Sequence, residues 1–211
     1  MLQSKEVKEM ILEIANMIVD AEDELSRLDA VIGDGDHGIS MKRGALKGIE
    51  TLNEMNDDEP INEYFKNYGW TLIRVMGGAM GPLVGIIFTE FGKACKDKKS
   101  FGTEEFVAGV TGSTMKVQEF GGAKVGDKTM VDAMVPTMEA SEAALQLGDS
   151  FNVVLDKAYS AALQGVENTI ELQAKKGRSM WLKEKSIGHP DAGATSYSKL
   201  IGKMKEFISK R

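Results

Sequence analysis

Apolar residues recur at steps of three and four along most of the chain, with acidic residues and lysines between them. This spacing is typical of amphipathic α-helices that bury one face. No segment alternates apolar and polar residues in the way that a half-buried strand requires. The pattern predicts a long first helix that begins near Val7 and ends at Leu28, and seven more helices, over about 37–55, 62–75, 82–96, 103–119, 129–147, 150–175 and from Thr195 onward.

Eight helices with apolar stripes and no strand predict an all-α protein, built as a helical bundle or a closed helical barrel. A chain of 211 residues suits one domain over residues 1–211, since no repeat or low-complexity linker divides it. The thirteen methionines fall mostly on apolar stripes and are expected to fill the core. The segment from Gly177 to Gly193 lacks helical periodicity and is expected to be irregular.

The composition excludes several classes of protein. The formal net charge is −6 and no basic stripe is present, which argues against nucleic-acid binding. The single cysteine, Cys95, excludes an internal disulfide and a metal site built from cysteines. The charged N-terminal residues are unlike a signal peptide, and no apolar run approaches the length of a membrane span. We therefore expect a cytoplasmic protein with neither nucleic acid nor membrane among its partners.

The segment from Leu28 to Gly38 holds three aspartates, one histidine and three glycines in eleven residues. Alternating glycine and aspartate disfavour helix and strand interiors, so a tight loop is expected. It could be a solvated turn, but crowded carboxylates repel one another unless they hold a proton or a cation. Oxygen ligands select Mg²⁺ or Ca²⁺, and neither Asp29 nor Asp34 starts an EF-hand register. The sequence predicts an open Mg²⁺ site at Asp29, Asp34 and Asp36.

Two glycine-containing segments, Asp36–Gly38 and Gly78–Pro82, run directly into predicted helix starts. A helix N-terminus presents free N–H groups to an anion, and glycine lets the backbone approach that anion closely. Together with the aspartates, these segments predict the polar half of a nucleotide-phosphate site, although the sequence holds neither a P-loop nor a Rossmann fingerprint. The two histidines, His37 and His189, lie in glycine-containing loops, and Arg178 is either a surface charge or a phosphate clamp.

Five stretches of the chain resemble the nucleotide-binding L subunit of dihydroxyacetone kinase. They follow the family order and span nearly the whole chain: Leu28–Gly38, Gly77–Leu83, Gly126–Asp132, Ala174–Arg178 and Ser186–Ser196. The resemblance implies an antiparallel eight-helix barrel with the nucleotide and metal site in the loops at one end. It also implies that Asp29, Asp34 and Asp36 bind two Mg²⁺ ions that bridge the phosphates of ADP or ATP.

The resemblance further implies which residues surround the nucleotide. The catalytic residues would be Arg178 and His37. The phosphates would lie at the start of the second predicted helix and at the second glycine loop, the adenine near the third loop, and the last two loops would close the site. The implied contacts are His37, Gly38, Ile39, Ser40, Ala79, Met80, Gly121, Met130, Arg178, Asp191, Ala192 and Gly193.

The family implies a phosphotransferase reaction that is shared between subunits. A free-standing L subunit keeps a bound ADP, accepts a phosphoryl group from a phosphohistidine-carrying M subunit of the phosphotransferase system, and passes it to dihydroxyacetone or a similar short ketose on a separate K subunit. We expect this role here, because the chain is short and holds no evident sugar site. The alternatives are an ATP-dependent ketose kinase subunit with exchangeable nucleotide and a non-catalytic, nucleotide-loaded regulatory protein. A metal-dependent phosphohydrolase is disfavoured, and a homodimer is left open.

Two departures from the family pattern bear on nucleotide affinity. Met80 stands where serine is typical, which removes a hydroxyl donor to phosphate worth about 1 kcal/mol. Ala192 stands where proline is usual, which is a milder change in loop stiffness. These substitutions leave the metal triad complete but indicate a divergent paralogue, whose partner is expected to carry another short ketose, such as a four-carbon one.

Overall fold

Nine α-helices and one 3₁₀ helix make up the computed structural model, which describes residues 1–211. The α-helices are α1 (Ser4–Asp20), α2 (Glu22–Ile32), α3 (His37–Asn53), α4 (Ile61–Val75), α5 (Met80–Ala94), α6 (Thr103–Gly121), α7 (Val131–Gln146), α8 (Phe151–Asn168) and α9 (Ala192–Ser209), and the 3₁₀ helix spans Arg178–Ser186. Leu2 and Phe101 form an isolated antiparallel bridge, and there is no strand. The prediction of an all-α fold is confirmed.

The helices form a closed ring in which α1 and α2 together act as one member. From α3 to α9 each helix packs against the next in chain order, α9 packs against α1, and α1 packs against α3. Successive helices that pack side by side across short connections are antiparallel. The ring has eight members, which confirms the eight-helix barrel. The α2–α3, α4–α5, α6–α7 and α8–α9 connections therefore lie together at one end of the barrel, called the site end below.

The first predicted helix is divided, and it ends later than expected. Ala21 separates α1 from α2, and α2 continues to Ile32. The prediction that Asp29 lies in a loop was wrong, because none of the residues up to Ile32 stops a helix and Gly33 is the first that does. Asp29 lies in the last turn of α2, and only the residues from Gly33 to Asp36 form the loop.

The connection between α8 and α9 also differs from the prediction. α8 ends at Asn168, earlier than its apolar spacing predicts, because the chain that follows hydrogen-bonds to the loop before α7. α9 begins at Ala192 rather than Thr195, since Asp191 is the N-cap and accepts a hydrogen bond from the N–H of Ala194 at 2.7 Å. The segment between them contains the 3₁₀ helix and is otherwise irregular, as expected.

The apolar stripes of all the helices meet in one core of 43 buried residues. Four phenylalanines, Phe65, Phe91, Phe101 and Phe106, pack in a cluster with ring centroids 5.6 to 6.2 Å apart. Close packing of this kind makes an interior rigid, so the barrel is a firm support for the loops at its site end. No helix combines the length and the apolar character that crossing a bilayer requires.

Candidate metal and nucleotide site

Three aspartates from two adjacent elements converge at the site end of the barrel. Asp29 lies in the last turn of α2, and Asp34 and Asp36 lie in the connection between α2 and α3. One carboxylate oxygen from each residue lies within 4.8 Å of the other two. The structure thus brings together the three predicted metal ligands, with Asp29 partly buried and the other two exposed.

Two glycines allow this loop to fold tightly around Asp29. Gly33 follows the last residue of α2, and a Cβ at this position would overlap Oδ1 of Asp29. Gly35 has a φ of +76°, in the left-handed region that favours glycine. The chain can therefore turn back closely enough to place Asp34 and Asp36 beside Asp29.

The surroundings of the triad favour a bound cation. Asp29 lies at the C-terminal end of α2, where the helix dipole repels a carboxylate. The N-terminus of α3 acts in the opposite direction, and the backbone N–H of His37 donates to Oδ2 of Asp29 at 3.4 Å. Three carboxylates this close still repel one another. The all-oxygen donor set, with exposed positions left for water or phosphate, fits Mg²⁺.

Arg178 brings a positive charge to the triad from a distant part of the chain. Its guanidinium group forms an ion pair with Asp34, and its Nη1 lies 3.8 Å from Oδ2 of Asp36. Arg178 is the first residue of the 3₁₀ helix and follows Gly177, which has a φ of +64°. The predicted phosphate clamp therefore lies next to the predicted metal ligands.

His37 is the first residue of α3, and its side chain is buried, only 5% exposed. Its Nε2 lies 3.1 Å from Oγ of Ser196 on α9. Burial lowers the pKa of His37 to about 4, and the nearby Asp29 carboxylate opposes this only in part. The imidazole is therefore neutral near pH 7, and its contact with Ser196 connects the start of α3 to α9. A catalytic role for His37 stays a prediction.

The next three residues of α3 face different directions. Gly38 is buried, and a Cβ there would overlap the backbone oxygen of Glu22, so glycine lets α3 pack against α2. The Ile39 side chain is exposed, whereas Ser40 is buried. The N–H groups of Gly38 and Ile39 lie in the first turn, where a helix has no internal acceptor for them. These residues can therefore meet an anion through the backbone.

The second glycine loop precedes α5, which begins at Met80, slightly before the predicted start. Gly78 has a φ of +62°, and no atom lies within 4 Å of a Cβ placed there, so the loop is open on this side. Ala79 is exposed, whereas the Met80 side chain packs against the core. Met80 therefore serves packing, and the backbone of the loop remains available to an anion.

Two predicted nucleotide residues connect further loops at the site end. Gly121 is the last residue of α6, and a Cβ on it would lie 3.5 Å from Leu83 in the first turn of α5. Met130 is the buried N-cap residue of α7, and its backbone nitrogen would lie 3.4 Å from a Cβ on Gly193 of α9. The end of α6 thus meets the start of α5, and the start of α7 meets the start of α9.

Asp191 is held in place by hydrogen bonds with neighbouring residues. Its carboxylate caps α9, and its backbone N–H donates to Oγ1 of Thr169 at 2.9 Å. Burial raises the pKa of Asp191 to about 7; the hydrogen bond from Ala194 opposes this rise and the negative charge of Asp132 adds to it. Ala192 is buried beside it. These contacts give Asp191 a structural role, and its contact with a nucleotide stays a prediction.

Sequence reasoning missed three polar residues at the site end. Asp132 accepts hydrogen bonds from two backbone N–H groups of the loop before α7, at 2.6 and 2.7 Å, and so shapes that loop. Lys128 of the same loop is buried. Arg43 of α3 reaches the second glycine loop, with its Nη2 3.5 Å from a Cβ placed on Gly77. The motif Gly126–Asp132 was a signal for the first two, but nothing in the sequence separates Arg43 from other surface cations.

Comparisons with family models and with known proteins agree on one protein family. Residues 31–206 match the DAK2 domain. The ADP-binding subunit DhaL of the PEP-dependent dihydroxyacetone kinase of Escherichia coli K12 is 41% identical over 172 residues, which are 82% of this chain and 81% of that protein. The DhaL subunit of dihydroxyacetone kinase 2 of Listeria innocua is 33% identical over 205 residues, 95% of this chain and 93% of that protein. An L-erythrulose kinase of Pectobacterium atrosepticum is 34% identical over 84% of this chain, which spans 30% of that enzyme.

Solved structures agree with the sequence relatives. The dihydroxyacetone kinase of C. freundii in complex with AMP-PNP and Mg²⁺ has a TM-score of 0.69 at 28% identity, and the match covers 95% of this chain and 33% of that chain. The native form of the same enzyme has a TM-score of 0.70 at 27% identity. The domain match extends over most of the sequence, and relatives more than 30% identical align over most of their length. The chain therefore belongs to the DAK2 domain family.

Proposed function

We propose that this chain is the ADP-binding subunit of a dihydroxyacetone kinase. In this role it accepts a phosphoryl group from a phosphohistidine-carrying M subunit of the phosphotransferase system and transfers it to a short ketose held by a separate K subunit. The names of its relatives include both dihydroxyacetone kinases and erythrulose kinases. We therefore propose a ketose of three or four carbons as the acceptor.

The convergence of Asp29, Asp34 and Asp36 supports this proposal most directly. Clusters of exposed acidic residues are common, but this cluster lies between the end of one helix, the start of another and a facing guanidinium group. It also lies in a chain that aligns with 81% of a DhaL subunit. A protein that only docks a partner does not need such an arrangement.

Two Mg²⁺ ions are proposed as the resident metal, held by Asp29, Asp34 and Asp36. Bound there, Mg²⁺ would act as a Lewis acid that neutralises the phosphate oxygens of ADP. Mg²⁺ usually keeps water and substrate phosphates among its ligands, and the exposed carboxylates of Asp34 and Asp36 leave room for both.

The other groups of the site act by binding and positioning. Arg178 supplies a fixed positive charge that stabilises negative charge on the phosphoryl oxygens during transfer. The N-terminus of α3 and the loop before α5 offer backbone N–H groups to the phosphates. His37 is buried and neutral, so it orients the start of α3 through Ser196 rather than adding charge. Gly121, Met130 and the residues Asp191–Gly193 are proposed to border the adenine and close the site.

The partner subunit is proposed to supply the ketose pocket and the general base for the ketose hydroxyl. Of the side chains next to the triad, Arg178 cannot lose its proton and His37 is buried against Ser196. Transfer then requires the partner to dock on the site end. A cytoplasmic location follows from the phosphohistidine donor, and a homodimer is not needed for this chemistry.

Identification of any nucleotide that the purified protein carries tests this proposal. The protein is denatured and the released nucleotide is identified by chromatography, with and without prior EDTA treatment. We expect nearly one ADP per chain, lost after EDTA. Protein that is empty but binds ATP readily would instead favour the ATP-dependent kinase subunit. Empty protein without affinity for either nucleotide would contradict both.

A second measurement separates the catalytic subunit from a regulatory protein. Protein loaded with ADP is mixed with a phosphohistidine carrier labelled with ³²P, and label in the protein-bound fraction is measured. The proposal predicts that the label appears there and passes to dihydroxyacetone once a K subunit is added. ADP-loaded protein that takes up no label, and that also transfers no phosphate from ATP to dihydroxyacetone in the presence of a K subunit, would fit the non-catalytic alternative.

A further inference from the structure

Lys128 is a buried cation in the loop between α6 and α7. The residue is 1% exposed, and all three of its hydrogen-bond partners are backbone oxygens. Its Nζ donates to the oxygens of Thr169 at 2.7 Å, Leu172 at 3.1 Å and His189 at 2.6 Å. An ammonium group has three donors and no acceptor. The three carbonyl oxygens therefore satisfy it completely.

The three carbonyls belong to two other segments of the site end. Thr169 is the C-cap of α8 and Leu172 lies in the turn that follows, where the helix dipole favours a positive charge. His189 lies shortly before Asp191, the N-cap of α9. One ammonium group therefore joins the loop before α7, the end of α8 and the loop before α9.

The segments that Lys128 joins are those proposed to border the adenine. Met130 follows Lys128 closely in the chain, and its backbone nitrogen would lie 3.4 Å from a Cβ on Gly193. The backbone N–H of Asp191 donates to Oγ1 of Thr169, the same residue whose carbonyl accepts from Lys128. The contacts of Lys128 thus fix the position of Met130 relative to Asp191 and Gly193.

Packing alone does not explain a charge at this place. Transfer of an ammonium group from water into a protein interior is costly, and an apolar side chain of similar size is often as stable. Burial lowers the pKa of Lys128, while the Asp191 and Asp132 carboxylates oppose this. Lys128 also has a φ of +60°, which is unusual for a residue other than glycine. The backbone is therefore arranged to present this side chain to the carbonyls.

We propose that Lys128 is a positioning residue whose ammonium group, as a tethered cation in a cage of three carbonyl oxygens, holds the loops before α7 and α9 together. Its effect on nucleotide binding rests on the proposed function, in which these two loops border the adenine. Lys128 acts there through Met130 and Gly193 and makes no contact of its own with the nucleotide.

Hydrogen exchange of the full-length protein tests this proposal without any nucleotide. Lys128→Ala leaves an empty cage, so the backbone amides of residues 124–130 and 187–194 are expected to exchange about tenfold faster, because hydrogen bonds from a charged donor are lost. The amides of α1 and α4 should stay protected. Methylammonium, a small cation that fits the cage, should restore protection in Lys128→Ala but not in Lys128→Met, whose side chain fills the space. The matched control is Lys124→Ala, an exposed lysine of the same loop.

Titration with Mg²⁺ and ADP tests whether the three carbonyl contacts of Lys128 affect nucleotide binding. Lys128→Ala is expected to bind the nucleotide about tenfold more weakly and to recover in methylammonium, whereas Lys124→Ala should bind like the wild type. A wild-type protein that binds no ADP would contradict the proposed function alone, because hydrogen exchange still decides the role of Lys128.

Three results would overturn the proposal for Lys128. They are unchanged exchange of both loops in Lys128→Ala, faster exchange spread evenly over all helices, and loosened loops that methylammonium does not restore. If Lys128→Ala does not fold, the two other variants decide. The amides of both loops should exchange faster in Lys128→Met, and they should stay protected in Lys128→Arg, which keeps a cation. If none of the three variants folds, Lys128 is required for the fold as a whole rather than for the position of two loops, and the proposal is also overturned.

Discussion

Arg178 pairs with Asp34 at the tip of the acidic loop, so a cation of the protein itself lies among the carboxylates proposed to bind metal. Its Nη1 is also 3.8 Å from Oδ2 of Asp36. The guanidinium group and a divalent ion therefore compete for the same negative charge. The Arg178 side chain is 65% exposed, and exposed ion pairs contribute little to stability. The pair can consequently separate at low cost when a metal binds.

Replacement of Arg178 should separate its effect on Mg²⁺ binding from its effect on phosphoryl transfer. Arg178→Ala is expected to raise the Mg²⁺ affinity of the nucleotide-free protein about two- to fivefold, because a competing cation is removed. The same variant should lower the rate of phosphoryl transfer about 100- to 1,000-fold, because a positive charge near the phosphoryl oxygens is lost. Calorimetric titration with Mg²⁺ and a transfer assay measure the two effects. The neighbouring exposed Lys176→Ala is the control, and a lower Mg²⁺ affinity in Arg178→Ala would contradict the competition.

The metal assignment predicts a specific loss in Asp34→Ala. Without this carboxylate the variant should retain no nucleotide through purification, although the fold should persist because Asp34 is an exposed loop residue. Chromatography of nucleotide released on denaturation measures the retention. Asp58→Ala, an exposed aspartate in the connection between α3 and α4, should carry the wild-type amount. An Asp34→Ala protein with the wild-type ratio of nucleotide would show that the metal assignment is wrong.

Gly33 tests the geometry of the triad without removing a ligand. Its φ of −139° lies outside the left-handed region, so Gly33→Ala brings no strain of that kind. The added Cβ would overlap Oδ1 of Asp29 and lie 2.9 Å from the backbone oxygen of the same residue, so the carboxylate and the end of α2 have to shift. We expect Mg²⁺ affinity to fall about tenfold or more, as is typical when a ligand is misplaced. Calorimetry measures this, and Gly112→Ala, within helix α6, should leave Mg²⁺ affinity unchanged.

The sequence was sufficient for features that depend on local pattern. Apolar residues at helical spacing predicted the ring of helices, because each helix buries one stripe in a common core. The aspartates at positions 29, 34 and 36 could be grouped because they are close in the chain and alternate with glycine. Arg178, which pairs with Asp34, could be named only as a candidate phosphate clamp. A single arginine near a glycine does not indicate which carboxylate it will contact.

Features that depend on contacts between distant segments could not be predicted. Nothing in the local pattern shows that Lys128 is buried, because lysine is normally exposed and its three acceptors are carbonyls from segments far along the chain. The role of Asp191 as N-cap was also missed, because Thr195 is an equally suitable capping residue in sequence terms. The break at Ala21 has no glycine or proline to mark it.

The lowered pKa of His37 predicts one contribution to the pH dependence of the protein's stability. Its pKa is about 4 in the folded protein and 6.5 in its ordinary state, so the unfolded chain binds the proton more readily. The stability contributed by the neutral, buried His37 is therefore fully present above pH 6.5 and is lost as the pH drops toward 4, whereas the raised pKa of Asp191 acts in the opposite direction over the same range. Between pH 7 and pH 5 the free energy of unfolding should decrease by about 2 kcal/mol on account of this residue. Chemical denaturation of the wild type and of His37→Gln in EDTA at each pH measures this contribution as the difference between the two proteins.

Comparison with two variants attributes this loss of stability to burial of the imidazole. His37→Gln keeps a polar group near Ser196 but does not titrate, so the difference in free energy of unfolding between it and the wild type should change by about 2 kcal/mol over the same interval. Asp191, whose pKa is raised in both proteins, cancels in that difference. Ser196→Ala removes only the contact at Nε2 and should keep the wild-type pH dependence, because burial is the main cause of the lowered pKa. If Ser196→Ala lost that dependence, the contact with Ser196 rather than burial would set the pKa of His37.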